Sequence, residues 1–155
     1  MKVLFKDVWK LTPEQSRTNI LVPFTVPCEF ERLELRCQYS PKVVEDPAVA
    51  FQQIESCIQK YVRPEERPEV IRIEDYDIPV NFVTLSLDCG TEYIGCAHRH
   101  APEQTIFVGA QGATVGFFAH PIVPGEWRAV LNVHAVISNT VEYGLTIVGK
   151  EFGET

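Results

Sequence analysis

The residues best suited to chemistry stand together in Cys96-Ala97-His98-Arg99-His100. A thiol and two imidazoles are side chains that zinc and other transition metals accept. In an extended segment Cys96, His98 and His100 point to one face. Their spacing limits them, because Cys96 and His100 lie about 13 Å apart on a straight strand and cannot share one ion. His98 and His100 form the local pair, and a third ligand must come across the fold from His120 or His134. A small metal-binding protein or metal-dependent enzyme, with zinc or another transition metal as cofactor, is one reading of these four histidines. The plainer reading is an exposed, polar hairpin end, since closed sites need three or four convergent ligands and only two are local.

Other reactive patterns are weaker. No GxSxG elbow occurs and no Cys–His–Asn signature is readable. Gly109, Gly112 and Gly116 are not spaced as GxGxxG, and no GK[ST] follows. Turn and bulge glycines explain them better than a phosphate loop. Glu74, Asp75 and Asp77 do not fit an EF-hand, and acids in loops are commonly just solvated. Trp9, Tyr39, Phe117, Phe118 and Trp127 would suit a flat sugar-binding face, although each also suits a core. Phe117 and Phe118 are adjacent, so on a strand one of them faces out. That pair is the candidate ligand-binding site, and its outward member is the expected contact residue.

Whatever these groups do, the surrounding elements must hold them. The chain has 155 residues, enough for one domain that buries a core without staples. Its net charge is −7, and Lys and Arg form no cluster free of acids. Nucleic-acid binding, which needs a dense basic patch, is not expected. No signal-peptide core opens the chain and no stretch reaches the ~18 apolar residues of a span. The expectation is a cytoplasmic protein without a membrane segment. Five cysteines, an odd number without CxxC, suggest buried reduced thiols.

Short runs rich in Val, Ile, Phe and Thr alternate with turn residues along most of the chain. Residues 2–11 and 19–26 read as strands, the second at an edge or bulge because of Pro23. From Phe30 to Tyr39 the alternation is clean, with Leu33, Leu35, Cys37 and Tyr39 on the buried face. Asp46 and Pro47 open one convincing helix over about residues 46–62, with Phe51, Ile54, Ile58 and Tyr61 on one side. Residues 70–73 suggest a short strand in a charged loop. Val80–Leu87 and Glu92–Cys96 suggest a hairpin. Four runs close the chain, Thr105–Val108, Thr114–Ala119, Trp127–Ile137 and Val141–Val148, read as a meander whose last two strands form a hairpin through Asn139-Thr140. Trp127 shares parity with Ala129, Leu131 and Val133 and is expected inside. The expected fold is an all-β, jelly-roll-like antiparallel sandwich of one domain with one inserted helix.

The stretches NFVTLSLDCGTEYIGCAHR, ATVGFF and PIVPGEWRAVLNVH carry a resemblance. They are similar to the β-sandwich module that stands amino-terminal to bacterial metal-dependent phosphoesterases of the polymerase-and-histidinol-phosphatase (PHP) superfamily. The likeness spans about residues 18–150 and rests on turn motifs. The catalytic domain of such proteins follows the module and opens on a His-x-His, whereas here the last strand is expected five residues before Thr155. The resemblance therefore implies an accessory role and transfers no active-site residue. A non-catalytic binding module is the functional expectation, partnered by a separately encoded phosphoesterase or by a second copy of itself.

Overall fold

Alternating burial along the strands builds two facing sheets in the computed structural model, which describes residues 1–154. The strands are β1 (Lys2–Leu11), β2 (Thr18–Val26), β3 (Arg32–Ser40), β4 (Phe82–Cys89), β5 (Glu92–Ala97), β6 (Glu103–Gly109), β7 (Gly112–Ala113), β8 (Gly125–Ala135) and β9 (Val141–Lys150). One sheet has the order β1-β9-β3-β6-β7 and the other β2-β8-β4-β5. Every strand pair is antiparallel. The inserted helix α1 spans Pro47–Tyr61, and Asp46 caps it by accepting from the Ala48 amide at 2.9 Å. This is the all-β sandwich with one inserted helix that the patterning implies.

The core lies between the sheets. Leu33, Leu35, Cys37 and Tyr39 of β3 face Trp127, Ala129, Leu131 and Val133 of β8 within one apolar cluster. Burying each such aliphatic side chain is worth roughly 1.5–3 kcal/mol. Pro23 sits on β2, which pairs only with β8 and so is an edge strand with no need of every amide.

Several expectations are corrected. The closing runs are not a meander, because β8 and β9 belong to different sheets and residues 136–140 cross between them. Residues 114–119 form no continuous strand; Gly116 takes a φ of 101° and bends the backbone there. Residues 70–73 form no strand, and a 3-10 turn spans Ile73–Asp75 instead. In α1 the buried residues are Ala50, Ile54 and Ile58, while Tyr61 is 65% exposed. The outer face of β3 is not fully solvated, since Glu34 is buried beneath an ion pair with Arg36. Of the five thiols, all free, only Cys37 is buried; Cys28 and Cys57 are exposed.

Candidate functional site

The register of the four-stranded sheet gathers the histidines. Thr84 lies opposite Asn132, and Phe82 opposite Ala135. Thr84, Ser86, Asn132 and His134 therefore share the outer face, beside Phe82. Thr84 Oγ1 meets His134 Nε2 at 2.8 Å, and Asn132 Nδ2 donates to Ser86 Oγ at 3.2 Å. Beyond β5 the chain turns so that His98 and His100 reach Phe82 as well. The Phe82 ring stacks with His100 at a centroid distance of 4.3 Å and with His134 at 4.7 Å. His98 stands edge-on to both Phe82 and His134, at 5.3 Å from each. Lys42 adds its ammonium 5.3 Å from the same ring, held by the Asn81 carbonyl at 2.9 Å.

These rings stack around one phenyl group instead of converging on a point. Among the described residues no three His, Cys, Asp or Glu side chains are placed to hold an ion. His120 is elsewhere: its Nε2 lies 3.2 Å from Glu92 and its ring stands edge-on to Trp127 at 5.5 Å. The Thr84–His134 contact has the length of a nucleophile–base pair. Yet Thr84 is 2% exposed, and among the described residues no carboxylate pairs with His134 to orient it. Burial first, and the neighbouring His98 second, hold the His134 imidazole below its ordinary value. The cluster is a packed aromatic–imidazole surface, without the parts of a catalytic triad.

A second feature adjoins it at the free edge of β5. There the Cys96 amide donates to the Gly116 carbonyl at 3.0 Å, and the Phe118 amide to Ile94 at 2.8 Å. Gly95 makes this close approach possible, because a Cβ there would collide with the Gly116 carbonyl and the Phe117 backbone. Arg99 Nη2 donates to the Val115 carbonyl at 2.8 Å and ties the loop from its other side. Phe117 enters the core, while Phe118 is 66% and Val115 82% exposed. Tyr93, 56% exposed, stands on the adjoining strand. Of the expected pair, the structure thus sends Phe117 inward and presents Phe118. Tyr39 and Trp127 are buried and Trp9 packs against the core, so the aromatics make no common flat face.

Sequence reasoning missed Phe82 and Lys42, since only strand register puts them beside the histidines. It also missed that the loop covers the β5 edge; Gly95 and Gly116 were the available signal. No protein-family model, curated protein sequence or solved structure matches this chain.

Proposed function

We propose that this protein is a non-catalytic binding module that docks a protein partner through Phe118, Val115 and Tyr93. One observation carries the reading: Phe118 is exposed on a backbone stitched to β5, with Phe117 anchored in the core directly before it. A backbone already held in place loses less conformational freedom on binding than a free loop does. Rigid, central aromatics are the side chains that dominate interface energetics. The proposal assigns no cofactor and no catalytic residue. We read the strand order, with successive early strands alternating between the two sheets, as jelly-roll topology. The likeness to PHP accessory modules supplies the partner class, a separately encoded metal-dependent phosphoesterase, with a second copy of the chain as the alternative.

The test pairs sedimentation with a pull-down, using wild type, Phe118→Ser and Phe118→Trp. Wild type and Phe118→Trp should self-associate or retain a purified phosphoesterase of this class. Phe118→Ser should weaken that contact by about 30-fold, the size of a hot-spot loss. Its thermal unfolding should stay unchanged, because surface substitutions shift stability by about 0.5 kcal/mol or less. A monomer that retains no partner, or a serine variant that binds as well as wild type, removes the proposal.

A further inference from the structure

The segment that follows β5 is tied to two neighbours at once. His98 stands edge-on to Phe82 and His134, and His100 stacks on Phe82 at 4.3 Å. Arg99, between them, reaches the adjoining loop and donates through Nη2 to the Val115 carbonyl at 2.8 Å. Its amide donates to the carbonyl of Ala97, a core residue, at 3.0 Å. One short stretch thus links the imidazole surface to the loop that carries Phe118.

The charged groups gathered at that surface are all basic. Lys42, from the connection after β3, holds its ammonium 5.3 Å from the Phe82 ring. Its partners are the Tyr39 hydroxyl at 3.0 Å and the Asn81 carbonyl at 2.9 Å, neither of them an acid. β4 supplies the Thr84 hydroxyl, β5 the Cys96 thiol 3.9 Å from it, and β8 the Asn132 amide and His134. Among the described residues no carboxylate pairs with Lys42, His98, His100 or His134. Asp46 caps α1, and Glu103 lines a hollow with Val8 and Gly144 of the other sheet.

A first proton on this surface meets only Lys42, but a second meets a like charge at close range. His98 and His134 would both be cations with 5.3 Å between ring centroids, and no acid to compensate. The lowered His134 pKa, set by burial first and His98 second, has the sign this repulsion requires. His100 differs, because a cation lying flat on a phenyl ring is attracted to it.

We propose that His98-Arg99-His100 is a pH-operated latch: with neutral imidazoles it packs on Phe82 and holds Val115, and protonation of both His98 and His134 lifts it from the sheet and releases Arg99 from the Val115 carbonyl. The packed state is whole above about pH 6.5 and is lost as the pH falls through the folded value of His134. Phe118 stays in place, since the bonds of residues 116 and 118 to β5 do not involve the latch. The consequence for docking rests on the Phe118 reading: acid withdraws the Val115 part of the contact surface and weakens the partner.

The experiment follows amide hydrogen exchange of the full chain at about pH 7.5 and about pH 5.5, expressed as protection factors so that the intrinsic pH dependence of exchange cancels. The Arg99 amide reports the latch, and the Phe118 amide and those of β4 serve as references. Protection at Arg99 should fall about tenfold on acidification, the factor carried by one unit of pKa coupling, while the references hold within about twofold. His98→Phe keeps an edge-on ring that gains no proton, and His134→Gln keeps a partner for Thr84. Each should reduce the fall at Arg99 to about twofold or less. The Val115 amide shift should move with pH in wild type and stay fixed in Arg99→Ala. An unchanged Arg99 amide in wild type overturns the latch, as does an equal fall in both histidine variants. A fall shared by every amide of β4 also overturns it, because that means loss of the whole fold only. These readouts involve no partner, so they stand or fall apart from the sedimentation and pull-down test of Phe118.

Discussion

His134 sits where a proton is costly. The flanking sheet surface removes part of its water, and His98 stands edge-on to it at 5.3 Å. Its folded pKa is lowered from the ordinary 6.5, burial being the larger cause. As the pH falls, the unfolded chain takes up this proton first. The stability contribution is therefore whole above about pH 6.5 and is lost as the pH drops through the folded value. Urea midpoints should decline between about pH 7.5 and about pH 5.5 in wild type. In His134→Gln, which keeps a hydrogen-bond partner for Thr84, the decline should be shallower. Identical slopes in the two proteins would show that His134 does not set the dependence. At this scale the sequence was readable where the constraint was local. Adjacent Phe117 and Phe118 on an extended backbone had to face opposite ways, and they do. Phe82 was unreadable as the hub of the cluster, because His134 reaches it only through the long-range pairing of β4 with β8.

The connections between elements depend on a few buried polar side chains. Residues 136–140 cross from one sheet to the other, and Asn81 holds them. Its Oδ1 accepts from the amides of Ile137 at 2.7 Å and Ser138 at 3.1 Å. Its Nδ2 donates to the Pro41 carbonyl at 3.0 Å and the Ser138 hydroxyl at 2.8 Å. Asn81 itself is fully buried. Replacing it with alanine leaves several of these groups without a partner, and each buried orphan costs about 1–3 kcal/mol. Asn81→Ala should lose at least about 3 kcal/mol in urea unfolding. A loss within about 0.5 kcal/mol would mean that water replaces the amide. The crossing also explains the misreading of β8 and β9 as a hairpin. Consecutive strands pair more often than not, and Asn139-Thr140 has ordinary turn chemistry. What overrides that preference is a distant asparagine, invisible to local pattern. The helix was legible for the opposite reason, since Asp46, Pro47 and its apolar spacing lie within one short segment. Its burial was only partly so, because Tyr61 borders a groove and not the core.

In the whole molecule, the last strand in chain order stands inside a sheet. β9 pairs with β1 on one side and β3 on the other. The Met1 amino group, just before β1, forms an ion pair with Glu154, just after β9. Strand count and turn spacing made the sandwich class legible, but no local signal says that residue 2 faces residue 149. The consequence is cooperative. The four-stranded sheet is finished at Ala135, yet the sheet that covers its inner face is incomplete until β9 joins β3 to β1. Val141, Tyr143, Leu145 and Ile147 are each at most 1% exposed. At roughly 1.5–3 kcal/mol apiece their burial sums to about 6–12 kcal/mol, comparable to the total stability of a typical domain. A chain ending at residue 138 should therefore lack a cooperative unfolding transition, lose its near-ultraviolet circular dichroism and bind hydrophobic dyes. If that fragment unfolded cooperatively, with the four-stranded sheet intact, the two sheets would have to be independent folding units, and the core between β3 and β8 would not couple them.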